Sequence, residues 1–365
     1  MPEQPLKDIR VLDFSTLLPG PLAGLILAEA GADVVKIERP GGEEARGYRP
    51  RWGATSAFYA LLNRGKTMLA ADLKSEEGKA RILDEVKTAD VLIEQFRPGV
   101  MERLGLGYEA LREINPRLVY CSITGYGQEG PRAAEAGHDL NYVGNTGVLA
   151  QSYGHGRDLV VPPALVADIG GGTLPAVINI LLALFGRERS GEGARLDIAM
   201  ADAMFTFSAW AMGCGATGAF PGNGESMLTG GSPRYRLYRA GCGRAVAVAA
   251  LEQKFWETFC GIVGLDSDLA DDTKDPEATR LALVAIIGSR PASEWAEAFA
   301  GKDCCASVVR DLEEAMRDEH FVQRGLFRWL VRNEAGETMT ALPVPVAPCF
   351  RSEPGAADVP ALDEI

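Results

Sequence analysis

The stretch from Ile9 to Glu38 constrains the fold most. Ile9-Arg10-Val11-Leu12-Asp13-Phe14 reads as a buried strand, Pro21 to Ala30 as a helix, and Asp33-Val34-Val35-Lys36-Ile37-Glu38 as a second strand. Two apolar strands separated by one helix are the ingredients of a βαβ unit, in which the strands lie parallel. Pro21 falls in the first helical turn, where a missing N–H is no loss, and Gly31 closes the helix. The alternation continues with a helix over Ser75 to Ala89, opened by half a capping box because Gly78 stands where Glu is expected. Strands over Asp90 to Glu94 and Leu118 to Ile123 flank a helix over Tyr108 to Ile114, and Ala194 to Met200 reads as a further strand. This order predicts an α/β protein built on a parallel, nucleotide-binding type of sheet.

At 365 residues with 47% hydrophobic content, the chain can bury one large core and a smaller one. A helix is predicted over Ala203 to Met212, and the Gly-, Ser- and Asn-rich stretch Gly213 to Gly231 reads as a boundary. Tyr235 to Arg239 and Ala245 to Ala249 suit a hairpin, followed by helices over Gln253 to Val263, Glu277 to Ser289 and Ala292 to Ala300. Phe327 to Val331 and Met339 to Pro343 suit a last strand pair. The expected division is a large domain over 1–200, a linker over 201–233, a small domain over 234–325 and a C-terminal segment, 326–365, that returns to the large domain.

Several classes of function are disfavoured. A net charge of −13 with no basic face argues against nucleic acid as a partner. The apolar run Gly171 to Phe185 meets Gly186-Arg187-Glu188-Arg189 too early for a membrane span, so a buried core helix is expected. Met1-Pro2-Glu3-Gln4-Pro5 has no basic segment followed by an apolar one, which predicts a cytoplasmic setting. Seven cysteines without a C-x-x-C predict reduced, mostly buried thiols and no metal site. Gly20-Pro21-Leu22-Ala23, after the first strand, is not the dinucleotide fingerprint.

The chemistry concentrates on two blocks. His138, one of three histidines, lies in Gly137-His138-Asp139-Leu140-Asn141-Tyr142, and Asp168 precedes Ile169-Gly170-Gly171-Gly172. An imidazole and a carboxylate beside glycine-rich backbone are what proton transfer at a weakly acidic carbon requires. By residue type alone, His138 also suits a loop histidine that satisfies backbone groups, and Asp168 a helix cap. Glu252 falls near the start of a helix pattern, where a first-turn acid is favourable in itself. His155 and His320 have no such context and read as surface or structural residues.

Asp13-Phe14-Ser15, Gly31 to Pro40, Asn63-Arg64-Gly65-Lys66, Asp72-Leu73-Lys74, Phe96-Arg97-Pro98-Gly99-Val100, Arg103-Leu104-Gly105-Leu106 and Thr124-Gly125-Tyr126-Gly127 together resemble the class III CoA-transferase (CaiB/BaiF) family. With His138, Asp168 and Glu252, the chain is most similar to its α-methylacyl-CoA racemase branch. The resemblance implies a large Rossmann-like CoA-binding domain, a smaller α/β domain and an interlocked homodimer in which Glu252 is supplied by the second chain. It implies an acyl-CoA substrate, no cofactor beyond that CoA, no membrane partner, and racemisation at C2 through an enolate, with His138 and Asp168 as the acid/base pair and Glu252 orienting the histidine. The N–H groups of Ile169 to Gly172 are the expected enolate donors. CoA-binding roles carry over to Arg39, Ala71, Asp72, Leu73, Lys74, Gln95, Phe96, Arg97, Arg103, Gly137, Asp139, Leu140, Asn141 and Tyr142. Gln95 stands where the family commonly has Gly, and Ala164 where the racemases usually have Asn. The alternative is a CoA-transferase, in which Asp168 attacks the acyl thioester; such enzymes carry a glycine-rich flap, whereas Thr229-Gly230-Gly231-Ser232-Pro233 offers two adjacent glycines.

Overall fold

The computed structural model describes residues 4–154 and 159–362, so His155 lies outside the described residues. The chain divides into two compact units, one comprising Met1–Thr146, Pro163–Phe207 and Glu319–Ile365, the other Gly147–Pro162 and Ser208–Asp318.

In the first unit the chain runs β1 (Arg10–Asp13), α1 (Pro19–Glu29), β2 (Asp33–Glu38), a short ribbon β3 (Arg51–Trp52) and β4 (Thr55–Ser56), α2 (Ala57–Asn63), β5 (Thr67–Ala70), α3 (Glu76–Val86) and β6 (Val91–Glu94). It continues through α4 (Val100–Leu104), α5 (Tyr108–Ile114), β7 (Val119–Thr124), α6 (Asp139–Asn145), α7 (Leu174–Ser190), β8 (Ala194–Ala199) and α8 (Met200–Phe207). Six strands form one parallel sheet in the order β5-β2-β1-β6-β7-β8, the α/β architecture that the alternation implies. Strands β1, β6 and β7 are almost wholly buried, as strands covered on both faces must be. Ser75 caps α3 by accepting the Gly78 N–H, a contact worth about 1 kcal/mol.

The second unit holds α9 (Ala209–Ala216), the hairpin β9 (Tyr235–Arg239) and β10 (Ala245–Ala249), α10 (Gln253–Val263), α11 (Ser267–Ala270), α12 (Pro276–Gly288), α13 (Ala292–Phe299), β11 (Ala306–Val308) and α14 (Leu312–Met316). Its sheet, β11-β10-β9, is antiparallel, and Trp256, Phe259, Trp295 and Phe299 form the centre of its core. The chain then re-enters the first unit as α15 (Glu319–Gln323), β12 (Leu330–Arg332), β13 (Thr338–Thr340) and β14 (Ala356–Asp358). Glu29 at the end of α1 fastens this return, holding Arg64 at 2.7 Å and Arg351 at 2.5 Å.

Several expectations are corrected. Residues 147–162 belong to the second unit, where Gly224 N–H reaches Gln151 O at 2.8 Å and Tyr153 N–H reaches Asn223 Oδ1 at 3.0 Å. The segment 201–233 is no linker: its first part is α8, its next part is α9, and the helix expected over Ala203 to Met212 is two helices broken at Ser208, whose backbone leaves the helical region. The second unit ends at Asp318 instead of 325. The apolar helix is not a buried core helix. A π-helical turn over Ala167–Thr173 joins α7 into one helix of 24 residues to Ser190, most of whose apolar length lies at the surface. The apolar run begins at Gly171 in the sequence, whereas the helix begins earlier, in the π turn at Ala167. Ile178, Leu182 and Phe185 are exposed along one stripe of α7. Of the cysteines, Cys121, Cys260 and Cys304 are buried, while Cys242, Cys305 and Cys349 are exposed.

Candidate active site

The strand order reverses between β1 and β6: from β1 the sheet is laid down outward through β2 and β5, and from β6 outward through β7 and β8. At such a reversal the loops leaving the carboxyl ends of the two central strands part in opposite directions and open a crevice. Here those loops are Phe14 to Leu18 after β1 and Gln95 to Pro98 after β6. Leu17 holds φ at 65°, a left-handed conformation that costs a branched, non-glycine residue energy and is fixed by its surroundings. Beneath it, burial alone would raise the Asp13 carboxyl, but Lys36 and Lys66 together hold it down to about 2, and its Oδ1 accepts the N–H of Ser15 at 3.0 Å.

Two cavities open at this reversal and share Thr16, Leu17 and Phe96 as a common wall. The larger, about 440 Å³ and mostly apolar, is lined by Arg39 from the end of β2, by Ala71, Asp72, Leu73 and Lys74 after β5, and by Val100 and Leu104 of α4. The second, about 330 Å³, is lined by Gln95 and Arg97 and, across from them, by Gly137, His138, Tyr142 and Asp168.

Local folding explains how His138 and Asp168 meet. His138 is the N-cap of α6, its backbone N–H donating to Asn141 Oδ1 at 3.1 Å. Asp139, the next residue, is buried, and its Oδ1 accepts the N–H groups of Ala167 at 2.7 Å and Asp168 at 3.0 Å. One carboxylate thus clamps the start of the π turn against the histidine block. Asp168 lies inside this turn and caps nothing, because Val166 occupies the cap position. The turn packs tightly on its other side: a Cβ at Gly171 would stand 2.3 Å from Met200 O, and Thr173 Oγ1 donates to Pro19 O at 2.8 Å. Burial and the Asp139 charge push the Asp168 carboxyl up to about 6, against the opposing pull of His138. Burial, with Asp168 next, likewise pushes the Tyr142 phenol up to about 12.

Of the expected enolate donors, Ile169 N–H is already engaged by Leu165 O at 3.1 Å, and Ile169 is no free donor at a helix end because the π turn continues through it. Gln95, where a glycine is common, does not obstruct: its Oε1 accepts Gly20 N–H at 3.1 Å and so tethers the β6 loop to the start of α1. Asn141 positions His138, whereas Leu140 is exposed and Arg103 lies on α4 away from the lining of either cavity. Glu252 belongs to the second unit, where it is the exposed N-cap of α10. His320 is exposed and edge-on to Phe321 at 5.3 Å. Thr16, Leu17, Pro19 and Met200 also line the second cavity and were not singled out from sequence, since strand order alone puts their loops at the reversal.

A doubly wound sheet with two adjoining cavities at its reversal point, one lined by Arg39 and Lys74 and the other by Arg97, His138 and Asp168, places its candidate site where α/β proteins of this class open a crevice. The chain belongs to CoA-transferase family III, whose sequence profile it matches over residues 6–364. It is 34% identical over 358 residues to the α-methylacyl-CoA racemase of Homo sapiens, with 96% of this chain and 90% of that protein covered. It is also 32% identical over 329 residues to the acetyl-CoA:oxalate CoA-transferase of Acetobacter aceti, covering 86% and 83%. The crystal structure of Rv3272 from Mycobacterium tuberculosis shares the fold with a TM-score of 0.83 at 27% identity, covering 99% of this chain and 98% of that one.

Proposed function

We propose that the protein is a racemase that interconverts the R and S forms of 2-methylacyl-CoA thioesters by removing and returning the proton at C2. The observation that carries this reading is that His138 and Asp168 face one cavity while Asp168 is pushed up to about 6, so that it holds or releases a proton near neutral pH. For one enantiomer His138 takes the C2 proton, the electron pair moves onto the thioester oxygen as an enolate, and Asp168 delivers its proton to the opposite face of C2. For the other enantiomer the roles exchange, so the two groups start each turnover in opposite protonation states. The enolate oxygen needs N–H donors, and the first turn of α6, at Asp139 and Leu140, offers groups that have no acceptor within the helix.

In this reading the larger cavity takes the nucleotide end of CoA, with Arg39, Lys74 and Arg97 available to its phosphates. We further propose that two chains interlock and that Glu252 of one chain orients His138 of the other. The stripe of Ile178, Leu182 and Phe185 on α7 is apolar surface that such an assembly would cover. Sedimentation at twice the mass of one chain supports the dimer, and a monomer contradicts it.

The transferase reading uses Asp168 as a nucleophile that attacks the acyl carbonyl and expels CoA thiolate. That step needs the ionised carboxylate, and a group raised to about 6 is less committed to that form than an ordinary aspartate. Incubation of one enantiomer of a 2-methylacyl-CoA, without any carboxylic acid acceptor, decides between them. Chiral analysis showing drift to a mixture of both forms supports the racemase. Retention of configuration, with thioester turnover appearing only on addition of a carboxylate, supports the transferase.

A further inference from the structure

Glu94 ends β6 immediately before the Gln95-to-Pro98 turn that lines both cavities, yet it lines neither. It is 3% exposed, and no ion pair involves it among the described residues. Its Oε2 accepts the Phe96 N–H at 2.8 Å, and the buried Ser122 stands opposite it on β7. The charges that face it are unfavourable: Glu102 on α4, which Arg195 approaches at 4.0 Å, and Asp197 on β8. Tyr120 and the Cys121 thiol, also close, are pushed up by burial first and by Glu94 next. Burial above all, then Glu102 and Asp197, push Glu94 up to about 7. An acid raised in the folded state loses stability as pH climbs from the ordinary carboxylate range to its folded value, so ionised Glu94 is a net cost to the fold. Glutamine at 94 would fill the same space, accept the same N–H and carry no such cost.

We propose that Glu94 is a positioning residue for CoA recognition: its carboxylate draws in the Phe96 N–H and so sets the Gln95-to-Arg97 turn against which the CoA portion of the substrate rests. Phe96 is shared by both cavities and Gln95 is tethered to α1, so a small change in this turn reaches the whole length of the crevice. The inference rests on the CoA reading but is indifferent to whether the reaction is racemisation or acyl transfer.

The probe is 3′-dephospho-CoA, whose diphosphate exchanges no proton near neutral pH. Its binding to the full-length protein is measured by calorimetry between about pH 6 and about pH 8, for the wild type, E94Q and E94A, with thermal unfolding measured alongside. The wild type binds about fivefold tighter at the upper pH, because a charge-assisted bond replaces a neutral one. E94Q binds at all pH values like the wild type at the lower pH, and at the upper pH it unfolds no earlier than the wild type; E94A binds more weakly still. A merely structural residue would lower affinity and unfolding temperature together. The proposal is overturned if E94Q keeps the wild-type affinity and its pH step, or if its affinity loss tracks a loss of thermal stability. Absence of binding by the wild type at every pH would overturn the CoA reading itself and this proposal with it.

Discussion

At the scale of single residues, the Asp139 side chain shapes the surroundings of Asp168. Its carboxylate holds the backbone of Ala167 and Asp168 and, by its charge, helps to raise Asp168. The sign of the resulting pH dependence follows. Where Asp168 is the base it must be ionised, so kcat/KM for that enantiomer rises as pH increases through about 6; where it is the acid, kcat/KM falls over the same range. Asp139→Asn keeps the Oδ1 acceptor and removes the charge, so both midpoints move down by about 1 in pH. Kinetics on each enantiomer separately reads this out, and unmoved midpoints would show that burial alone sets Asp168. His138, Asp168 and the arginines were legible as residue types in short blocks. The part played by Asp139 was not, because a contact from α6 to a turn that begins at Ala167 is set by the packing of two elements and leaves no local pattern.

At the scale of elements, the π turn of Ala167–Thr173 is what presents Asp168 to the cavity. Ala-Asp-Ile-Gly-Gly-Gly carries no helical periodicity, so the helix was legible only from its glycines onward and the inclusion of Asp168 in it was not, whereas the β9–β10 hairpin and α10 were read at their observed boundaries from alternation and amphipathic spacing. Gly171→Ala puts a methyl group 2.3 Å from the Met200 carbonyl and is expected to cost about 2 kcal/mol, with loss of activity as Asp168 shifts. Gly186→Ala, on the same helix with open space around it, is expected to hold or gain stability by up to about 1 kcal/mol. Thermal unfolding of the pair checks this, and equal effects would mean that the turn is not packed as described.

At the scale of the whole molecule, the parallel sheet was legible in the strand–helix alternation, but its order was not. Reversal between β1 and β6 is decided by which edge each crossover returns to, and that choice places two distant loops side by side as the walls of one crevice. The division of the chain was also only partly legible. Residues 147–162 have no periodicity to assign them, and their hydrogen bonds to the second unit are long-range. If Glu252 acts on the other chain's His138, a differently tagged heterodimer of D168A and E252A chains retains one intact site and about half the wild-type activity. Loss of nearly all activity in that heterodimer would place all three residues on one chain.

The central claim is that C2 of an acyl-CoA sits between His138 and Asp168. Incubation with a 2-methylacyl-CoA in D₂O, with no carboxylic acid present, tests it most directly. The expected result is deuterium at C2 with conversion to both enantiomers, lost in His138→Ala and Asp168→Ala. No deuterium at C2, with CoA moving to an added carboxylate in an Asp168-dependent step, would contradict it.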